Sequence, residues 1–266
     1  MTTTKLVSIH ANRAGTGKTT LAVNLAARLA AQGRRVGLVD ADLYAPGLHR
    51  FFYPPEQRPS IEQTLNYYVW HEVTVLDQIV HLVEHPALPE PLRFVPASPR
   101  VDDIMRAWHE GYDHMLFRTA LWEMGNQHEL DYVFIDTAPS LNPHSLLTAV
   151  QSDVVLITLR TNAQDWEGTR LVADALERVE DAAVYAVINN LPDYESNSAE
   201  DIRAGAIVDF HYQVAAIIPH LPELHRLADR DIYVLHENPD GHWLRSIDAI
   251  LDRVEAAPLR PAARKH

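Results

Sequence analysis

Short apolar runs, mostly β-branched, alternate along the chain with longer amphipathic stretches. Residues 5–10, 35–39, 92–95, 132–135, 154–157, 184–188 and 214–218 are apolar with little polar alternation, which predicts strands buried on both faces of a parallel sheet. Helical periodicity fills the intervals at 19–31, 101–124, 166–179 and 242–254. In the last of these Trp243, Leu244, Ile247, Ile250, Leu251 and Val254 fall on one face. Repeated strand–helix units predict an α/β fold, a doubly wound, mostly parallel sheet with helices on both faces. Residues 53–91 break the rhythm. Pro54, Pro55, Pro59, Pro86, Pro89 and Pro91 surround one expected helix at 60–70, so this stretch reads as an insertion or mobile loop region.

Composition narrows the class. The chain has 266 residues, enough for one large domain with a full core, expected at 1–256, followed by a short basic tail at 257–266 that is expected to be disordered. There is no cysteine, which removes thiol nucleophiles, zinc ribbons and iron–sulfur ligation in cis. With no basic segment leading a long apolar run at its start, and no stretch near ~18 apolar residues, the chain is expected to be cytoplasmic. The net charge of −13 opposes nucleic acid and anionic lipid unless a local patch overrides it, so DNA binding is possible but unsupported by charge. Only three of the 23 basic residues are lysines, which makes Lys18 informative.

Lys18 lies in the string Asn12-Arg13-Ala14-Gly15-Thr16-Gly17-Lys18-Thr19-Thr20, between the first expected strand and the first expected helix. This is the Gly-x-Lys-Thr end of a P-loop in its required setting. Ala14, Gly15, Thr16, Gly17 and Thr20 would offer backbone N–H groups to phosphate, Lys18 would bridge β and γ oxygens, and the Thr19 hydroxyl could hold Mg²⁺. Asn12 occupies the opening glycine of the motif, a position where Asn tolerates a left-handed backbone. Without a third glycine after Gly15 and Gly17, a dinucleotide fingerprint is excluded.

Two further segments lie at strand ends, Asp40-Ala41-Asp42 and Asp136-Thr137-Ala138-Pro139. With the loop, they resemble the MinD/ParA family of deviant Walker-motif P-loop ATPases: the family's Lys-Gly-Gly-x-Gly-Lys-Thr-Thr falls on 13–20, its Asp-x-Asp switch on 40–42 and its Asp-Thr-x-Pro on 136–139. Weaker echoes are Val187-Ile188-Asn189-Asn190 and Ile218-Pro219-His220-Leu221-Pro222. The resemblance implies ATP with Mg²⁺, Thr19 and Asp136 at the metal, the latter through water, Asp42 orienting the attacking water, and Asn189 and Pro222 at the base. It also implies an ATP-dependent homodimer and a protein partner. Arg13 stands where the family carries a lysine that reaches the partner's phosphates; it is either that trans contact or a surface cation in a monomeric switch. Asp40 suits loop bracing as well as catalysis.

The implied function is a slow ATPase acting as a dimerisation switch in positioning or partitioning. Alternatives are a regulatory or maturation ATPase working on a protein client, and a P-loop small-molecule ligase or kinase. His81-Leu82-Val83-Glu84-His85 matches a zinc-protease string, but Pro86 and Pro89 end any helix there. Tyr67, Tyr68 and Trp70, with no basic residue between 60 and 70, read as core or partner-facing rather than as a stacking platform. The tail holds Arg260, Arg264 and Lys265 but only Leu259 as a large aliphatic residue, too little for a membrane anchor.

Overall fold

β1 (Lys5–His10), β2 (Val36–Ala41), β5 (Tyr132–Thr137) and β6 (Val154–Leu159) form the centre of an eight-stranded sheet in a computed structural model that describes residues 4–54, 60–176, 182–192, 199–227 and 230–260. On one side the sheet continues through β4 (Leu92–Val95) to β3 (His81–Val83), and on the other through β7 (Ala183–Leu191) to β8 (Gln213–Pro219). The order is β3-β4-β2-β5-β1-β6-β7-β8, parallel except for the antiparallel edge pair β3–β4. Every residue of β2, β5 and β6 is buried, as expected of strands covered on both faces.

Side-chain alternation divides the core into two layers. Val7, Ile9, Val36, Leu38, Tyr132, Phe134, Val154 and Leu156 face α1 (Lys18–Ala31) and α10 (Gly241–Ala256). Val39, Ala41, Val133 and Ile135 face the opposite layer, which includes α3 (Leu65–Val69) and α5 (His114–Gln127). Val155 and Ile157 pack there with Ala149 of α6 (Pro143–Val150) and Val172 of α7 (Ala163–Leu176), while Ile202 and Phe210 of α8 (Ala199–Phe210) cover the β7 end. The single-domain, doubly wound architecture is therefore as expected.

Local differences have local causes. The expected helix at 101–124 is two helices, α4 (Val101–Glu110) and α5, because Gly111 adopts a positive φ of 67° and the Asp113 carboxylate accepts from Met115 N and Leu116 N to start a new helix. The expected helix at 60–70 is a 3₁₀ turn (Ile61–Gln63) followed by α3, with Thr64 extended between them. Beyond it, Val73, Leu76 and Ile79 are buried in the same core layer, while Val75 and Leu82 are exposed, so the Pro-rich region is anchored to the core at single positions. Tyr68 is buried with its hydroxyl on Glu123, and the Trp70 indole donates to Gly111 O beneath the Arg106 guanidinium. Tyr68 is core, and Tyr67 and Trp70 are partly buried against it.

The zinc-like string lies on an edge strand, where His81 donates to Gln63 O and the His85 ring accepts from Ala87 N. Among the described residues no group of three or more His, Asp and Glu could hold a metal ion, and no helix is long and apolar enough to cross a membrane. Of the tail, Ala257 is buried and Arg260 N donates to Asp153; residues 261–266 lie outside the described ones.

α10 is fastened by Lys5. Its ammonium, on the first strand, donates to the carbonyls of Val254, Glu255 and Ala257 at 2.7–2.9 Å, satisfying groups that a helix end leaves open and meeting the negative end of its dipole. Lys5→Met keeps the aliphatic stem and removes these charge-assisted bonds, so it should lower stability by about 2–3 kcal/mol, read as a reduced urea midpoint with an unchanged slope.

Candidate nucleotide site

The first strand delivers the chain to a loop that only small residues can close. Gly15 and Gly17 have φ of 78° and 90°, and a Cβ on Gly17 would sit 2.2 Å from Asn189 Nδ2. Gly15, by contrast, has open space where its Cβ would be. Asn12 does not use the left-handed conformation expected for it: it is absent from the positive-φ residues, and its amide instead packs on Gly168 of α7, where no Cβ would fit. α1 begins at Lys18 with Gly17 as its cap and no side-chain cap, leaving its first backbone N–H groups turned toward the loop. Ala14 and Gly15 form the exposed apex, and the Thr16 hydroxyl bonds that of Thr158 at 2.9 Å.

Two arms converge on this loop. On the first, parallel register sets Asp40 of β2 opposite Asp136 of β5. Asp136 is 2% exposed; its Oδ2 accepts from the Thr19 hydroxyl at 2.6 Å, and its buried Oδ1 has no partner. Burial raises its pKa to about 6, against the opposing pull of Lys18 and the Thr19 bond. Asp40 is fully buried and accepts from the backbone N–H groups of Asp42, Gly47 and Leu48. Burial, then the neighbouring Asp136 and Asp42 carboxylates, hold its pKa well above the usual range. Its geometry is that of a brace for the loop after β2. Asp42 Oδ1 accepts from Tyr44 N and, at 2.9 Å, Ala45 N, and burial raises its pKa too. Lys18, 6% exposed, is the cation set among these acids; its charge also helps burial push His10 down to about 3.

The second arm is a cavity of ≈ 240 Å³ between the loop and the ends of β6, β7 and β8. Gly15, Thr16, Gly17 and Thr20 line one wall; Arg160, Asn189 and Asn190 line the other with Pro219, Leu221, Leu224 and His225. Asn189 Nδ2 donates to Thr16 O at 2.8 Å. Pro222 opens the short helix α9 (Pro222–Leu227), and its neighbours rather than its own side chain line the cavity. Arg13 turns toward α7, donating to Gln164 Oε1 at 2.6 Å and to the 1%-exposed Asp165 at 3.2 Å. Arg160 holds the same carboxylate at 3.0 Å.

Sequence reading missed Arg160, Asp165 and His225, while Asn190 stood in the strand-end string 187–190 without a role of its own. Arg160 had a signal, since it directly follows a strand on the edge of the sheet where ligands sit. Asp165 had none, because one partner, Arg13, is 152 residues away and the other, Arg160, depends on a turn. A strand, glycine loop and helix with a buried lysine and acids at neighbouring strand ends define a P-loop nucleotide site.

Comparison with known proteins agrees. A family model described as an AAA domain matches residues 4–189. The chromosome partitioning protein ParA of Myxococcus xanthus is 28% identical over 220 residues, 80% of this chain and 74% of that protein. An iron–sulfur cluster carrier protein of Haemophilus influenzae is 40% identical over 55 residues only, 21% of this chain and 15% of that protein. In fold, the septum site-determining protein MinD of Pyrococcus horikoshii, solved with Mg-ADP, superposes with a TM-score of 0.75 at 18% identity, covering 96% of this chain and 97% of that one. The chain belongs to the MinD/ParA family of P-loop ATPases.

The buried acid makes a stability signature. Since Asp136 binds its proton more tightly folded than unfolded, its contribution to stability falls as pH rises from about 4 through about 6. Asp136→Asn should therefore be more stable than the parent at pH 7 without ligand, by on the order of 1–3 kcal/mol, with the difference vanishing near pH 4. Thermal unfolding across that range checks it.

Proposed function

We propose that the protein is a Mg²⁺-dependent ATPase that works in the cytoplasm as an ATP-driven dimerisation switch for positioning or partitioning another component. The observation that carries the reading is the buried Lys18 and the unpartnered Asp136 oxygen meeting at one glycine loop. A loop without Cβ atoms at Gly15 and Gly17, over a helix N-terminus, suits a triphosphate, and Lys18 supplies the charge that its β and γ oxygens need. Thr19 and Asp136 fit a hydrated divalent cation: one hydroxyl and one acid oxygen without a protein donor, with no nitrogen or sulfur ligand. Mg²⁺ bound there would neutralise charge on the phosphates.

Asp42 already spends Oδ1 on the backbone of the loop, which fixes its carboxylate and leaves Oδ2 to orient water toward the terminal phosphate. Asp40 maintains that loop through three N–H bonds. Arg13 makes the trans contact once its bonds to Gln164 and Asp165 are exchanged for a partner's phosphates. The partner protein is of unidentified kind. Those cis bonds also favour a second reading, a monomeric regulatory or maturation ATPase acting on a protein client.

Lys18→Ala should lose ATP affinity by at least about 100-fold in calorimetry, whereas Asp42→Ala should bind ATP and lose at least about 10-fold in turnover. Unchanged affinity in the first variant overturns the nucleotide assignment.

The dimer switch turns on Arg13. With a non-hydrolysed ATP analogue the parent should dimerise in ultracentrifugation while Arg13→Ala binds the analogue and stays monomeric, since one lost charge-assisted contact per site shifts association by roughly 10- to 1000-fold. A parent that stays monomeric with the analogue bound, and without any small-molecule co-substrate, sinks the switch and puts the monomeric reading first.

A further inference from the structure

The phosphate loop and α7 meet through an exchange of sizes. Asn12 stands where the loop motif opens on glycine, yet its backbone is not left-handed. A glycine lies across the contact instead, at Gly168, buried in the second turn of α7. Glycine inside a helix costs stability relative to alanine, so its presence there has to be explained by what approaches it. What approaches is the loop. A Cβ at Gly168 would overlap Nδ2 and Cγ of Asn12 and lie 3.0 Å from Oδ1, so the whole amide, and not only its tip, fills the place of a side chain on the helix.

The chain on either side of Asn12 is held. Before it, Ala11 is fully buried and its carbonyl accepts from Ser140 N at 2.8 Å; after it, Arg13 bonds Gln164 and Asp165, one turn ahead of Gly168 on the same helix. A methyl group added at 168 therefore presses on the Asn12 amide, and the amide presses on the loop. At the far end of the loop the same pairing recurs, since Asn189 occupies the space that a Cβ on Gly17 would need. We propose that Asn12 and Gly168 are a matched pair that seats the opening of the phosphate loop on α7, and that Gly168 is thereby a positioning residue for the triphosphate. It does not line the cavity, so it acts through Asn12 alone. A loop fixed at both ends by an amide against a glycine is already ordered before the ligand arrives, and the ordering cost that would otherwise weaken binding is reduced.

This rests on the nucleotide reading above, and the experiment separates the two. Calorimetry with Mg-ATP and with inorganic tripolyphosphate would compare the parent, Gly168→Ala, Asn12→Ala and the double variant, which together close a mutant cycle. Gly168→Ala favours the helix by itself, so any loss it causes comes from the contact. It should bind both ligands about 10-fold more weakly, and by the same factor, because the disturbance enters through the phosphate loop. In Asn12→Ala/Gly168→Ala the added methyl group finds the amide gone, and affinity should return to within about 3-fold of the parent. Urea unfolding without ligand should show the same coupling, a midpoint lowered by Gly168→Ala and recovered in the double variant. The proposal falls if Gly168→Ala binds like the parent, for the amide then swings aside freely. It falls too if the double variant stays as weak as Gly168→Ala, or if only ATP is weakened. A parent that binds neither ligand while the urea coupling persists overturns the nucleotide reading and leaves the contact between Asn12 and Gly168 standing.

Discussion

The parallel register of β2 against β5 sets two carboxylates, Asp40 and Asp136, side by side in the dry interior of the sheet, with Asp42 close behind. Buried like charges of this kind are expensive unless donors or cations meet them. Asp40 takes three backbone N–H groups, Asp136 takes the Thr19 hydroxyl, and Lys18 stands among them. One acceptor, Asp136 Oδ1, is left over. The raised pKa values follow from burial first and from the neighbouring carboxylates after it, so the acids are held where each added negative charge is costly.

The same acids divide their labour by what their oxygens touch. Asp40 is spent on structure, and losing it would release the loop that follows β2 rather than remove a reacting group. Asp42 holds its own turn with a single oxygen. A comparable division operates across the loop, where Arg13 and Arg160 share the buried Asp165. A carboxylate at 1% exposure cannot lose both cations without a large penalty, and with two arginines on it the loss of either one alone leaves the buried charge paired.

Most of the fold was legible because buried parallel strands leave an unmistakable apolar signature and the loop motif carries its own chemistry. What escaped was short or antiparallel. β3 spans three residues beside prolines and has no periodicity to read. The break between α4 and α5 was written in Gly111 and Asp113, a helix stop and a helix start two residues apart, yet the apolar pattern runs through both. For the site, the loop with Lys18 and Thr19 was legible from its motif between strand and helix, and Asp42 and Asp136 from their places at strand ends. The pairing of Asn190 with His220 was not, since it follows from a register shift between β7 and β8 that sequence does not display.

Sheet order explains why one loop can serve both arms. β1 lies between β5 and β6, so the loop that leaves it faces the acids of β2 and β5 on one side and the cavity wall of β6, β7 and β8 on the other. Its contacts are distributed accordingly: Thr19 reaches Asp136, while Thr16 reaches Thr158 through its hydroxyl and Asn189 through its carbonyl. Thr16 and Thr19 flank Gly17 and Lys18, whose backbone is fixed by the close approach of Asn189. The two arms therefore meet on four consecutive residues of one loop, Thr16 to Thr19, so that the cavity wall and the buried acids are held against the same short stretch of backbone.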